Sequence, residues 1–412
     1  MKALKYITAI GLAALTLTLF TQKAHTSDTN LYWMKIRAKD QFQRSVIANT
    51  GVSIESVRED FVAATGTLEE KNAIEKLGWL DVSFPLTDAM DFPAKDAAYH
   101  NYAELTQKVQ ELAATYPNLV KLSSIGKSVE GREIWVLRIS GNLAQADSLP
   151  AAIYMGGHHA REHLSVELPL YYAEYFLSEY TKGNPRIVNL LNGRDIHIIP
   201  AVNPDGLEFD VASGNYKMWR KNRSRNSDGT YGVDLNRNYG YQWGTGGSSG
   251  NTNSETYKGP RAFSEPETVA VKNYVEAHQN ITILLTFHTF SELILYPWGY
   301  KYAGIDISRD QQVHQKMAEK MATWNNYSPQ QSSSLYQASG DTTDWAYGEH
   351  KIISFTFELD PTNNGWGGSA GFYPGAGVIP DVERKNLEPV LYLLEYADNP
   401  YRVLDVSIDP IH

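Results

Sequence analysis

The chain has 412 residues, enough for one large domain with a smaller one or for roughly two or three average domains. Hydrophobic residues make up 42% of it and charged residues 20%, which excludes an intrinsically disordered chain. The formal net charge is −10, and no long run of Lys or Arg occurs. Nucleic acid is therefore excluded as the expected partner, because phosphate binding needs a concentrated basic surface.

The N-terminus has the pattern of an export signal. Lys2 and Lys5 precede an apolar run from Ile7 to Phe20, which is shorter than the ~20 residues of a membrane-spanning helix. We predict a signal peptide over residues 1–24 and no stable membrane insertion after its removal. The protein would be exported by a bacterium, either secreted or periplasmic. A buried helix is the alternative for this run.

Residues 25–90 are predicted to form a small α/β module. Strand-like and helical segments alternate within about sixty residues, which suffices for an open-faced fold. The segments are strands at 31–38 and 61–67 and helices at 39–51 and 68–78. Residues 81–98 lose this periodicity and contain Pro85 and Pro93, so we predict a linker with a domain boundary near Asp91.

Residues 91–412 are predicted to form a larger α/β domain. Apolar strands separated by helices indicate a mixed, mostly parallel central sheet with helices on both faces. The Gly/Ser-rich residues 243–254 are predicted to be a surface loop. The predicted strands are 133–139, 151–155, 195–202, 281–287 and 352–359, and the predicted helices are 102–116, 163–180, 266–278, 309–326 and 383–397.

The stretch GGHHAREH, from Gly156 to His163, is dense in groups that bind metals. Two interpretations compete. His159 and Glu162 could be two zinc ligands, or H-x-x-E-H could make His159 and His163 the ligands and Glu162 the base. The second needs the whole motif inside a helix, which the two glycines before it disfavour. The first suits a motif at the carboxyl end of strand 151–155, where ligands gather in open α/β sheets.

His288 offers a third ligand, directly after the predicted strand 281–287. Because the chain contains no cysteine, it has no disulfides and any metal must be held by His, Asp or Glu. His159, Glu162 and His288 would make a two-histidine, one-carboxylate zinc site with one position left for water. For His288 alone, a core or surface histidine is the alternative.

Four further stretches follow in the chain: NYKMWRKNR with Arg220, GVDLNRNYG with Asn236 and Arg237, LYQASGDTTDWAYG with Tyr336, and FTFEL with Glu358. With these motifs in order, the sequence from about Asp91 onward resembles the zinc metallocarboxypeptidases of the carboxypeptidase A type. It is most similar to the bacterial carboxypeptidase T branch, over HHAREH, DLNRNYGY and DWAYG. The resemblance implies that Glu162 is a metal ligand and not the base.

The resemblance also implies the roles of the catalytic groups. One zinc ion would be held by His159, Glu162 and His288, with Asp234 hydrogen-bonded to His159. Glu358 would be the general base for a zinc-activated water. Arg220 would stabilise the oxyanion, because a guanidinium contributes most where charge develops. Taken alone, Glu358 could equally be a paired structural carboxylate.

The same resemblance assigns the substrate contacts. Asn236 and Arg237 would bind the terminal carboxylate of a peptide, since an arginine fork matches a carboxylate at two points. Tyr336 would close over that carboxylate, and Arg161 would lie beside the subsites upstream of the cut bond. Taken alone, the sequence NRN is often a turn, and an aromatic residue such as Tyr336 more often serves packing.

Asp341 and Thr343 are predicted to line the pocket for the C-terminal side chain. The resemblance places both residues at pocket positions, and the T branch, which shares this pairing, accepts apolar and basic side chains. We therefore predict the same dual preference here. The alternative is that Asp341 is a turn residue after Gly340.

Residues 25–90 would be an activation segment that covers the active-site crevice until an activating protease cuts the linker. A permanent accessory domain is the alternative. The expected partners are peptide substrates and the activating protease, and the expected oligomeric state is a monomer. Structural calcium is known in the T branch and is compatible with the acidic loops, although no ligand set for it stands out.

Two features depart from the family pattern. Relatives carry cysteines near the loop 243–254, and this chain has none. Pro169 interrupts the helix predicted after the zinc motif and should kink or delay it. Two other functions remain as alternatives: a peptidoglycan-peptide or acyl-amino-acid hydrolase on the same fold, and a binding module that has lost catalysis.

Overall fold

The computed structural model describes residues 31–85, 96–211, 216–362 and 368–405. The predicted signal peptide and the predicted domain boundary near Asp91 lie outside these residues. Within them, no helix is both long enough and apolar enough to cross a membrane.

The N-terminal module, residues 32–85, is a four-stranded sheet with two helices. The strand order is β2-β3-β1-β4, and all neighbouring strands are antiparallel. Met34, Ile36 and Val62 are fully buried in its core. Its elements are β1 (Tyr32–Arg37), α1 (Gln41–Ala48), β2 (Ser53–Val57), β3 (Phe61–Gly66), α2 (Leu68–Lys76) and β4 (Leu80–Pro85).

Both helices of the module begin at residues that satisfy free backbone N–H groups. The Asp40 side chain accepts a hydrogen bond from Gln43 N at the start of α1. Thr67 and Glu70 form a capping box at the start of α2. These caps fix where each helix begins, and therefore how its apolar face meets the sheet.

The second domain is built on an eight-stranded sheet of order β11-β10-β12-β9-β7-β8-β6-β5. The four central strands, β12, β9, β7 and β8, are mutually parallel, and β10, β6 and β5 pair antiparallel to their inner neighbours. Its strands are β5 (Val120–Lys127), β6 (Glu133–Ile139), β7 (Ala151–Met155), β8 (Asp195–Ile199), β9 (Ile281–Thr289), β10 (Leu293–Tyr296), β11 (Ser328–Gln331) and β12 (Ile353–Leu359).

Helices cover this sheet, and two separate apolar clusters pack against it. The predicted fold class, a mixed and mostly parallel α/β sheet preceded by a small α/β module, is confirmed. The helices are α3 (Tyr102–Thr115), α4 (Leu164–Thr181), α5 (Pro185–Gly193), α6 (Pro204–Val211), α7 (Pro266–Ala277), α8 (Ser308–Asn325), α9 (Thr342–His350), α10 (Gly368–Phe372) and α11 (Ile379–Tyr396).

Several elements were not predicted. β4 occupies part of the segment expected to be linker; it is an edge strand that ends at Pro85, a position where a missing N–H is tolerated. The short edge strands β10 and β11 have only four residues each, too few for a clear alternation. Pro169, which was expected to kink or delay the helix, lies inside α4, and α4 begins at Leu164, one residue after its predicted start.

Candidate metal centre and substrate cleft

Three metal-binding side chains meet at the carboxyl ends of the central strands β7 and β9. His159 Nδ1 lies 2.7 Å from Glu162 Oε1, and His288 Nδ1 lies 2.8 Å from Glu162 Oε2. The two Nδ1 atoms are 3.1 Å apart. All three side chains are buried, and one ligand atom from each lies within 4.8 Å of the others. Two imidazoles and one carboxylate at this separation fit a zinc ion.

Close backbone packing holds the first two ligands in place. Gly156 passes so near α4 that a Cβ atom on it would lie 1.9 Å from the Ser165 carbonyl oxygen. Pro169 lacks the N–H that would otherwise bond that carbonyl, so the strand end can approach it. The Ser165 hydroxyl donates to Glu162 O at 2.6 Å and accepts from Gly157 N at 3.1 Å.

The two histidines are neutral in this environment. Burial lowers the pKa of His159 to about 4 and that of His288 to about 3, and the Arg220 guanidinium acts in the same direction. Each ring therefore keeps a lone pair on one nitrogen at neutral pH. The hydrogen bond predicted between His159 and Asp234 is present, with Nε2 3.1 Å from Asp234 Oδ1. It places the imidazole proton on Nε2 and leaves Nδ1 for a metal.

Arg220 and Glu358 flank the three ligands. Arg220 donates through Nε and Nη2 to Asp234 Oδ2 at 3.1 and 3.0 Å, and its Nη1 lies 3.9 Å from Glu162 Oε1. Glu358 of β12 pairs in the sheet register with His288 of β9. Burial and the neighbouring charge of Glu162 raise the pKa of Glu358 well above its ordinary value. A carboxyl group tuned in this direction is suited to accepting a proton from water.

Asn236 and Arg237 belong to the short turn Leu235–Arg237, which adjoins the metal group because Asp234 Oδ1 accepts from both Asn236 N and His159 Nε2. Arg237 donates through Nε to Gly247 O at 3.1 Å and through Nη1 to Asn236 O at 2.7 Å. In the described parts of the chain, Arg237 Nη2 and Asn236 Nδ2 meet no acceptor. These two groups are available for a two-point contact with a carboxylate.

Tyr336 is close enough to Arg237 and Arg220 for their charges to act on it, and it is turned toward the N-terminal module. Its hydroxyl donates to Ile54 O at 3.4 Å, and its ring packs against the apolar core of the module. Burial raises the pKa of Tyr336 above its ordinary value, so the phenol keeps its proton. The side chain predicted to close over a substrate is thus engaged by β2.

Asp341 and Thr343 lie at the start of α9. Asp341 is the N-cap: its Oδ1 accepts from Asp344 N and from the Thr343 hydroxyl, both at 2.8 Å. Its Oδ2 lies 2.9 Å from the position a Cβ atom would take on Gly299. Asp341 therefore caps α9 through Oδ1, while its Oδ2 takes no part in the cap.

Arg161 is fully buried beneath the N-terminal module. It donates through Nη2 to Glu55 Oε1 of β2 at 2.5 Å and through Nη1 to Glu255 Oε2 at 2.9 Å. Its guanidinium carbon is 4.4 Å from the centre of the Phe372 ring. The cation predicted to lie beside a substrate is therefore paired with a carboxylate of the module.

Four residues of this region were not assigned a role from the sequence: Glu55, His158, Glu255 and Thr342. Glu55 lies in the strand SIESV, and Glu255 follows the Gly/Ser-rich loop; neither belongs to a motif. Thr342 sits inside the stretch LYQASGDTTDWAYG, and His158 inside GGHHAREH, but the sequence offers no chemical reason to select either residue.

Sequence comparisons with known proteins identify the family of this chain. A sequence profile of the zinc carboxypeptidase family matches residues 105–389, more than half of the chain. A zinc carboxypeptidase of Saccharothrix mutabilis subsp. capreolus is 40% identical over 344 residues, covering 80% of this chain and 77% of that protein. Carboxypeptidase A2 of Mus musculus is 35% identical over 311 residues, covering 74% and 72% respectively.

The fold comparison leads to the same family. The crystal structure of carboxypeptidase A from Helicoverpa armigera matches with a TM-score of 0.75 and 25% sequence identity, covering 92% of this chain and 100% of that one. The chain belongs to the zinc carboxypeptidase family, peptidase M14. The predicted resemblance and enzyme class, a metallocarboxypeptidase and hence a hydrolase, are confirmed. The family uses zinc, and the group His159, Glu162 and His288 is a candidate site for it.

Proposed function

We propose that this protein is the precursor of an exported metallocarboxypeptidase that removes hydrophobic and basic residues from the C-termini of peptides. One observation carries the proposal: Asp234 Oδ1 accepts hydrogen bonds from both His159 Nε2 and Asn236 N, so the buried His159–Glu162–His288 group adjoins the donors of Asn236 and Arg237. A hydrolytic centre beside a receptor for a free carboxylate is what an exopeptidase requires.

The residues beside the metal group have complementary tasks. Zinc held by His159, Glu162 and His288 would supply Lewis acidity, polarising the scissile carbonyl and acidifying the attacking water. Glu358 takes a proton from that water and returns it to the departing amine. Arg220 donates hydrogen bonds to the oxygen on which negative charge develops. Asp234 holds both His159 and Arg220, so it aligns these two groups.

The remaining assignments concern the leaving residue. Arg237 and Asn236 bind its carboxylate, and Tyr336 closes over it once the N-terminal module has left. Asp341, with one oxygen beyond the helix cap, attracts a basic side chain, while the neutral Thr343 leaves room for an apolar one. Arg161 contacts the substrate upstream of the cut bond when Glu55 no longer occupies it.

The contacts of the module support latency of the full-length chain. Glu55 pairs with Arg161, the Ile54 carbonyl accepts from Tyr336, and Asn49 accepts from Gly247 N at 2.9 Å. The module therefore reaches the residues to which we assign substrate binding. Export is supported by the basic and apolar start of the chain. The activating protease would cut between β4 and α3.

The first test compares two peptides that differ only at the C-terminus, one with a free Leu carboxylate and one with the amide. Zinc-loaded protein, trimmed within residues 86–95, is assayed for release of leucine or leucinamide. We expect cleavage of the free acid alone, because the donors of Asn236 and Arg237 select a carboxylate. Cleavage of both peptides would favour the peptidoglycan-peptide or acyl-amino-acid hydrolase, and cleavage of neither the binding module.

Latency is tested on the untrimmed chain. Full-length protein should hydrolyse the free-acid peptide at least tenfold more slowly than the trimmed protein. Glu55→Gln should raise the activity of the uncut chain, because it removes the charge that pairs with Arg161. Glu59→Gln, an exposed carboxylate of the same module, is the matched control. Equal activity before and after trimming would identify a permanent accessory domain instead.

A further inference from the structure

The side-chain amide of Asn236 is held at its oxygen end by one residue. Asn236 Oδ1 accepts from Thr342 N at 3.0 Å and from the Thr342 hydroxyl at 2.9 Å. A backbone N–H can only donate, so the amide oxygen and not its nitrogen must face Thr342. Nδ2 then points away from Thr342, and it meets no acceptor among the described residues.

His158 supports the hydroxyl that makes the second of these bonds. Thr342 Oγ1 gives its proton to Asn236, so it can accept from His158 Nε2, which lies 3.2 Å from it and 2.9 Å from the Tyr239 hydroxyl. The other ring nitrogen of His158 lies 3.3 Å from the Thr286 hydroxyl, which can donate to it. His158 and Thr342 are both fully buried, so water does not compete for these groups.

The same imidazole touches the metal group. The rings of His158 and His288 are stacked, with centroids 5.6 Å apart and planes inclined by 21°. His158 also directly precedes His159 in the chain. One buried ring therefore lies between a candidate zinc ligand and the hydroxyl that orients Asn236.

We propose that Thr342 and His158 are positioning residues that hold the Asn236 amide with its NH2 group toward the terminal carboxylate of the substrate. The inference rests on the proposed function, because it presumes that Asn236 binds that carboxylate. If the hydroxyl is lost, Asn236 keeps only the backbone donor, and its amide gains freedom to rotate. Binding of the carboxylate then weakens while the groups that carry out hydrolysis are unchanged.

The test uses Thr342→Val, which keeps the shape of the side chain and removes the hydroxyl, and Thr342→Ser, which restores it. For the peptide with a free Leu carboxylate, we expect KM to rise about tenfold in the Val variant, because one hydrogen bond that supports binding of a charged group is lost. The value of kcat should stay within about twofold of the wild type. The Ser variant should recover most of the wild-type KM. Thr282→Val, at a threonine that bonds Ala397 O away from the cleft, is the matched control.

A second readout excludes a purely structural effect. Inhibition by 3-phenylpropanoate, which carries a carboxylate and no peptide bond, should weaken by the same factor as KM rises in Thr342→Val, at unchanged zinc content. His158→Phe keeps the ring stack and removes the donor, and combining it with Thr342→Val should add little, because both act through one hydrogen bond. If the zinc content of His158→Phe falls, that variant is not used. The comparison of Thr342→Val with Thr342→Ser then decides whether the hydroxyl positions Asn236.

The outcomes separate this inference from the proposed function. Wild-type protein that cleaves the free acid, together with a Thr342→Val variant of unchanged KM and inhibition constant, would overturn the inference alone. A fall in kcat with unchanged KM would also overturn it. Wild-type protein that cleaves neither peptide would instead overturn the proposed function.

Discussion

At the scale of single residues, Asp341 offers the sharpest test of the side-chain preference. Asp341→Asn keeps a residue that caps helices well but removes the negative charge beside Gly299. We expect kcat/KM for a peptide ending in Arg to fall about tenfold or more, since hydrogen bonds to charged groups contribute about 1.5–3 kcal/mol. For the matched Leu peptide, the change should stay within about twofold.

Steady-state kinetics on the two peptides measure this ratio. Asp381→Asn, an exposed carboxylate on α11, serves as the control. Equal losses on the Arg and Leu peptides would mean that Asp341 acts only as the cap of α9, and the predicted preference for basic residues would be wrong.

The residue scale also shows what a sequence can reveal about a site. The sequence allowed His159, Glu162 and His288 to be selected for two reasons. Few residue types bind metals, and these three residues come shortly after predicted strands. Thr342 and Glu55 could not be selected, because a hydroxyl that orients an amide, or a carboxylate that pairs across two domains, has no characteristic neighbours in the chain. Their roles depend on contacts between residues 106 positions apart, in both Thr342–Asn236 and Glu55–Arg161.

At the scale of elements, the junction between β7 and α4 determines the ligand geometry. Gly156→Ala would place a methyl group 1.9 Å from the Ser165 carbonyl oxygen, so the strand end and the helix must move apart. We expect a loss of stability of at least ~2 kcal/mol, as for other overpacked sites. We also expect weaker zinc binding, because Ser165 bonds the Glu162 backbone.

Competition with a chelator measures the zinc affinity, and thermal unfolding measures the stability. Gly193→Ala at the end of α5 is the matched control, because a Cβ atom there meets nothing within 4 Å. If both variants bind zinc like the wild type, the close approach at Gly156 does not set the ligand geometry.

Strongly patterned elements were predictable, and weakly patterned ones were not. β6 and β7 match their predicted bounds, because each is a compact apolar run. β2, with the sequence SIESV, is short and polar and was missed. Helix α4 continues through Pro169, because the proline comes soon after the helix start and strand β7 approaches the carbonyl that it leaves free.

At the scale of the whole molecule, Glu70 couples the module to pH. It is 3% exposed, and burial raises its pKa to about 7 against the opposing hydrogen bonds from Thr67. Glu255 of the second domain raises the pKa further. An exposed Glu titrates near ~4.3. Between these values the folded protein holds a proton that the unfolded chain has lost, so this contribution to stability decreases as the pH rises from about 4.5 to about 7.

Glu70→Gln removes this titration. The thermal midpoint of the wild type should fall relative to that of the variant between pH 4.5 and pH 7.5, by the equivalent of up to ~3 kcal/mol. Scanning calorimetry of both full-length proteins across that range measures the difference. Glu75→Gln, on the exposed side of α2, should follow the wild type. Parallel curves for wild type and Glu70→Gln would contradict the coupling.

The arrangement of the two domains was only partly predictable. The α/β class of each part follows from local periodicity, whereas the surface on which they dock joins segments far apart in the sequence. Gly51 illustrates this: it was recognised as the end of a helix, yet its carbonyl also accepts hydrogen bonds from Ser254 and Thr256. This contact between Gly51 and the second domain could not be predicted from the sequence.

Hydrogen bonds from the module also help to hold the loop 243–254 in place. The Gly247 carbonyl supports Arg237, while Gly247 N and the Ser254 hydroxyl are held by Asn49 and Gly51 of the module. No disulfide can reinforce this loop, since the chain contains no cysteine. Cutting away the module therefore removes part of what secures the loop behind Arg237. We therefore expect the trimmed protein to unfold around this loop more readily than the uncut chain.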